Sequence, residues 1–171
     1  MIWWENLSSS EMCVSITYEH EVEVLKNSTL PSAARPWYYQ TCAEYGWYQT
    51  TDFKNQPFVS KSPLKNYLSL CQDVFGDAFG VSLVGSNVNH TNVMYGGLDP
   101  AVTNVYFTYG SLDPWHPMDI LKDLNKNSPG TVIPGISHCQ DTASIKTEKD
   151  SEQLIASKVK LQSLVKKWLK K

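Results

Sequence analysis

The chain has 171 residues, 42% of them hydrophobic and 19% charged, with a formal charge of −2. That is the length of one domain, and its charge excludes a general nucleic-acid binder, which is clearly basic. The apolar content argues against charge-driven disorder, and no apolar run approaches the ~20 residues that cross a bilayer.

Residues 12–25 read as a helix with Val14, Tyr18, Val22 and Leu25 on one face and Glu19, Glu21 and Glu23 on its solvated side. Residues 27–36, holding Pro31 and Pro36, form a turn-rich connector. The aromatic stretch 37–42 reads as β-prone, and 54–63 as a loop. Residues 63–75 predict a second helix, with Leu64, Tyr67, Leu68 and Cys71 as its stripe. The polar segment 84–92 reads as loop or helix start.

The second half is clearer. The run 102–109 predicts a strand buried on both faces, closed by Gly110 and followed by Ser111-Leu112-Asp113-Pro114-Trp115-His116. A shorter strand, 131–134, precedes Gly135 and Ile136-Ser137-His138-Cys139. Residues 150–171 predict an amphipathic helix with an Asp150/Gln153 capping box, a buried stripe of Leu154, Leu161, Val165 and Trp168, and a basic last turn. The order is strand, Asp loop, helix, strand, His loop, helix. The last strands of an α/β sheet present catalytic groups in this way.

Acyl transfer by a serine enzyme needs a nucleophile, an imidazole that takes its proton and a carboxylate that orients the imidazole. Asp113 and His138, 25 residues apart and each just beyond a strand, fit the second and third roles. Their bland readings are an Asp-Pro turn and a surface histidine. His116, beside Asp113, is the main competitor of His138. No G-x-S-x-G elbow occurs, and Ser137 and Cys139 stand too close to His138 to serve as its nucleophile.

Four cysteines, at 13, 42, 71 and 139, match no zinc spacing. Three N-x-[ST] sequons, at Asn6, Asn27 and Asn89, point with them to a secretory route. The first residues have no basic n-region and no apolar h-region, so they do not form a signal peptide. The expected true start therefore lies upstream.

The block Arg35-Pro36-Trp37-Tyr38-Tyr39-Gln40-Thr41-Cys42-Ala43-Glu44-Tyr45-Gly46-Trp47 resembles one in the serine carboxypeptidase family of prolylcarboxypeptidase, proline dipeptidyl-peptidase and thymus-specific serine protease, nearest to the last. Cys71-Gln72-Asp73-Val74-Phe75-Gly76, Tyr95-Gly96-Gly97, 110–116 and 137–141 continue in the family's order, so that the likeness covers about residues 13–169. The resemblance implies the C-terminal part of an α/β-hydrolase fold. Residues 1–35 would be the end of a helical cap insert with a connector, and 36–171 the end of the hydrolase core. It implies a serine-type exopeptidase acting on peptides, after proline in characterised members, with the nucleophilic Ser in a segment upstream of this chain.

Position by position, Asp113 becomes the triad carboxylate and His138 the base. Trp47 and Trp115 would wall a proline pocket, where a flat indole suits the pyrrolidine ring; ordinary core packing is the equal alternative. The resemblance pairs Cys42 with Cys71, leaves Cys13 to a partner upstream and leaves Cys139 as a free thiol. It implies no metal or organic cofactor, no nucleic acid and no membrane span, and allows a homodimer of the full-length protein. The competing reading is a short, inactive remnant or binding module, for which Trp3 and Trp4, if exposed, would supply a sticky surface.

Overall fold

A computed structural model describes residues 17–29, 32–55, 57 and 59–170. The expectations for Val14, Cys13, Asn6, Trp3 and Trp4 lie outside the described residues. The chain divides into two compact units, 1–90 and 91–171.

The described part of the first unit is helical. Helix α1 (Tyr18–Lys26) starts at Thr17, whose hydroxyl accepts the His20 N–H, with Glu19 and Glu21 in its first turn. Helix α2 (Ala34–Gln40) runs on into a widened turn, Thr41–Tyr45, closed by the Gly46 N–H on the Thr41 carbonyl at 2.9 Å. Here the β-prone reading of 37–42 is wrong. Aromatic β-propensity reflects fit to a packed surface more than a backbone preference, and the surface here is another helix. Tyr38 packs against the cluster of Leu25, Leu70 and Val74. Pro36 sits in the first turn, where its missing N–H costs little.

Helix α3 (Leu64–Phe75) forms as predicted, but its buried residues are Leu70, Cys71 and Val74, while Leu64 is exposed. Helix α4 spans Val81–Tyr95, and the division of the chain between the units falls within its length. Of the two readings of 84–92, loop or helix start, the structure has helix, begun at Val81. Gly85, Ser86 and three asparagines are weak helix formers, yet Val84 and Val88, one turn apart, join a cluster around Cys42 and Cys71. Packing outweighs propensity.

The second unit is built on two parallel strands, β1 (Phe107–Gly110) and β2 (Gly130–Ile133), with Phe107 opposite Gly130 and Gly110 opposite Ile133. Mixed helix and a small parallel sheet make the architecture a partial α/β one. The predicted strand 102–109 is shorter than read and half-buried along most of its length. Before it, Asn104 adopts a positive φ of 58° that breaks an extended run. The helix expected between the strands is a single 3₁₀ turn, His116–Met118. Pro114 and Pro117, then Asn125, Asn127 and Pro129, leave no stretch that can propagate a helix.

Helix α5 (Glu152–Trp168) closes the unit. Leu154 packs with Ile133 and Ile136. Of the predicted stripe only Leu154 is buried; Leu161 and Val165 are exposed, because two strands offer the helix little surface beyond its first turns. Ser157 and Lys158 are buried instead, Ser157 meeting the Tyr106 hydroxyl at 3.1 Å and Lys158 paired with Asp150 at 2.9 Å. That pairing holds the Asp150 carboxyl below its usual range.

The cap is Ser151, whose hydroxyl accepts the Leu154 N–H, rather than Asp150. Asp150 is occupied by the Lys146 N–H and the Lys158 ammonium. Ser151→Ala is expected to cost about 1 kcal/mol in thermal or urea unfolding.

Candidate functional site

The two parallel strands end side by side, and backbone hydrogen bonds tie their outgoing loops together. Beyond β1 the Ser111 N–H donates to Ile133 and the Leu112 N–H to Ile136, both at 3.0 Å. The Ser111 hydroxyl accepts the Gly135 N–H at 2.9 Å. Gly110 makes this approach feasible, because a Cβ there would press into the Ile136 carbonyl. Gly110→Ala is expected to destabilise the unit by about 2 kcal/mol, read by urea unfolding, and to loosen the contact that the two loops make.

That contact joins Asp113 and His138. The loop after Gly110 turns at once, the Asp113 N–H returning to the Gly110 carbonyl at 3.1 Å. The Asp113 carboxylate is largely buried and uses both oxygens. Oδ1 accepts the Trp115 backbone N–H at 2.8 Å, and Oδ2 lies 2.8 Å from His138 Nδ1. An ionised carboxylate can only accept, so Nδ1 carries the proton and the outer nitrogen, Nε2, is the basic one. The His138 side chain is 56% exposed against 11% for Asp113, so the acid is shielded while the imidazole faces outward.

The loop that carries His138 is pinned on either side. The Ser137 N–H donates to the Gln140 side chain, Cys139 adopts a positive φ of 58°, and the Thr108 hydroxyl of β1 donates to Asp141. Cys139 is a free, exposed thiol. His116 does not compete with His138 for Asp113. Its Nδ1 lies 3.8 Å from Asp119, and both of these atoms are buried without a hydrogen bond. Burial, then the Asp113 charge, pushes the Asp119 carboxyl up to about 6. Nothing in the sequence marks Asp119, which comes near Asp113 only because two successive turns, through His116 and Met118, fold the loop back.

Trp115 is half-buried within the Asp113 loop. Trp47 belongs to the other unit, where it stacks on Tyr45 at 5.0 Å with a positive φ of 56°. Cys42 and Cys71 form a disulfide that ties the widened turn to α3, both side chains 1% exposed. Asn27, at the end of α1, accepts from the Thr29 backbone and hydroxyl, and Asn89 is exposed on α4. Among the described residues no cluster fits a metal ion and no helix is long and apolar enough to cross a membrane.

An acid–imidazole pair at the carboxyl ends of adjacent parallel strands is the arrangement of hydrolases that work by acyl transfer. The serine carboxypeptidase S28 family matches residues 1–161, and the chain belongs to that family of serine peptidases. It is 36% identical to the thymus-specific serine protease of Mus musculus and 33% identical to that of Homo sapiens, over 95% of this chain and 32% of each relative. A protein of Arthroderma benhamiae described as "Probable extracellular serine carboxypeptidase" is 25% identical over 99% of this chain and 26% of its own length. The chain thus spans about a third of the length of the curated relatives it matches. No solved structure matches it.

Proposed function

We propose that this chain supplies the carboxylate and the base of a serine-type exopeptidase with an α/β-hydrolase fold, which cleaves peptides after proline. The observation that carries the reading is the 2.8 Å contact between buried Asp113 and outward-facing His138 at the ends of two parallel strands. Asp113 fixes the imidazole and stabilises its charged form. His138 Nε2 takes the proton of a seryl hydroxyl that the protein brings from outside this chain, and returns it to the leaving amine. Trp115, within the Asp113 loop, serves as an apolar wall for the proline ring. Residues 36–171 are the last part of the hydrolase core, and about 1–35 the end of the cap. Asn6, Asn27 and Asn89 are glycan acceptors, consistent with a secretory route that ends in a lysosome or outside the cell.

The test is twofold. The transcript upstream of the Met1 codon should continue into a G-x-S-x-G elbow. A fluorophosphonate probe should then label the full-length product at that serine and leave the 171-residue chain unlabelled. The full-length product should release residues from peptides with proline next to the scissile bond and spare their alanine counterparts. Labelling of a serine within this chain would overturn the division of the triad. A stop codon before Met1, with no upstream serine, would favour a non-catalytic binding module.

A further inference from the structure

We propose that Thr108 and Asp141 are positioning residues for His138, their hydrogen bond being the latch that holds the imidazole against Asp113. The inference rests on the reading of Asp113 and His138 as the acid and base of the site and adds two residues to it.

The His138 side chain is 56% exposed. Packing therefore does little to hold it, and its place is set by the backbone that carries it. That backbone arches over one face of β1. Residues two apart on a strand share a face and lie about 6.5 Å apart, and Thr108 and Gly110 are such a pair. A Cβ at Gly110 would meet the Ile136 and Ser137 carbonyls, so the arch begins over Gly110. The Thr108 hydroxyl donates to the Asp141 carboxylate, so the arch ends over Thr108. His138 stands between these two footholds.

The first foothold is tied twice, by the Leu112 N–H on the Ile136 carbonyl and by the Gly135 N–H on the Ser111 hydroxyl. Within the arch, the Ser137 N–H donates to the Gln140 side chain at 2.8 Å, and the Thr142 hydroxyl to the Cys139 carbonyl at 2.7 Å. Such bonds stiffen the arch without fixing where it stands on the strand. Among the described residues, the Thr108–Asp141 bond is the one hydrogen bond that ties residues 139–142 to a strand. Strand β1 thus places the acid through its outgoing loop and the base through Thr108. With the latch open, a swing of about 1 Å takes the Asp113–His138 contact out of hydrogen-bond range. An imidazole without that acceptor shares its proton between both nitrogens, and the fraction protonated at Nε2 cannot accept one from a hydroxyl.

Nitrogen NMR of the His138 ring in the 171-residue chain, at about pH 8 where histidine is neutral, shows which nitrogen holds the proton. The wild-type chain should hold the Nδ1–H tautomer. Thr108→Val keeps the shape and strand preference of the side chain and removes the donor, so the two ring signals should move toward those of a mixed population. Thr108→Ser returns a hydroxyl and should return the wild-type signals. Asp141→Ala should match Thr108→Val, whereas Asp141→Asn, which keeps an acceptor without the charge, should match wild type. In the full-length peptidase, Thr108→Val should lower kcat about 10–100-fold with little change in KM.

Wild-type ring signals in a folded Thr108→Val chain overturn the proposal, even if its urea stability has fallen, because the bond would then be structural only. An Asp141→Asn chain that behaves like Asp141→Ala also overturns it, since charge and not the hydrogen bond would be at work. Should Thr108→Val fail to fold, Asp141→Ala decides, and wild-type signals there overturn the proposal. The ring signals are read without peptide hydrolysis. A full-length protein that shows the expected signals and cleaves no peptide removes the peptidase reading and leaves the latch standing.

Discussion

Asp113→Asn should lower turnover of the full-length peptidase by about 10⁴-fold with little change in fold. The amide keeps the shape and volume of the acid, and its oxygen can still face the Trp115 N–H. The atom opposite His138 Nδ1 then becomes a donor, which forces the imidazole into the other tautomer, with its proton on Nε2. An Nε2 that carries a proton cannot accept one from a seryl hydroxyl. The loss should fall on kcat, because the interaction matters most when the imidazole is charged in the transition state. Steady-state kinetics on a proline-containing peptide and far-UV circular dichroism check both halves. Near-wild-type turnover with an unchanged spectrum would remove Asp113 from the catalytic machinery. His138→Gln gives a cross-check: removed together, the two residues should cost little more than either alone, since they act as one unit.

Much of this arrangement was legible in the sequence. Asp113 and His138 each follow a β-rich run that stops at glycine, and parallel strands with loops at their carboxyl ends deliver such residues to one place. The Cys42–Cys71 pairing followed from the family resemblance, since spacing alone could not choose among the possible partners.

What failed, failed for local reasons. Residues 37–42 look like a strand because Trp37, Tyr38 and Tyr39 are β-formers, but Tyr38 packs against Leu25 and Leu70 and Tyr39 meets Phe75, on neighbouring helices. The stretch 84–92 leaves a loop open beside a helix start because it holds a Gly, a Ser and three Asn. One apolar stripe, Val84 and Val88, suffices for a helix when a buried disulfide waits beneath it. The outer face of α5 reads as a core stripe in sequence, yet a pattern of Leu and Val says only which face would be buried, and two strands cannot cover all of it. Asp119 is the more instructive omission. Its raised carboxyl depends on burial and on the nearby Asp113 charge, neither of which a one-dimensional pattern can express.

Removing the disulfide should have the largest effect on stability in the first unit. Cys42 and Cys71 close a loop with a sequence separation of 29, and loop-closure entropy assigns such a cross-link roughly 3.5 kcal/mol. The bond also lies at the centre of a cluster with Val84, packed by Tyr48, Leu68, Phe75, Phe79 and Val88. Its loss therefore frees the unfolded chain and disturbs the folded one. A Cys42→Ala/Cys71→Ala double variant should separate these effects in part, since alanine is small and apolar and leaves no polar group in the cluster. The expected result is a drop of about 3–4 kcal/mol in urea unfolding of the 171-residue chain, confined to probes in the first unit such as the fluorescence of Trp47. Trp115, in the second unit, should report an unchanged midpoint if the units unfold independently. A double variant with wild-type stability would mean that the helical cluster holds the widened turn against α3 without the covalent bond.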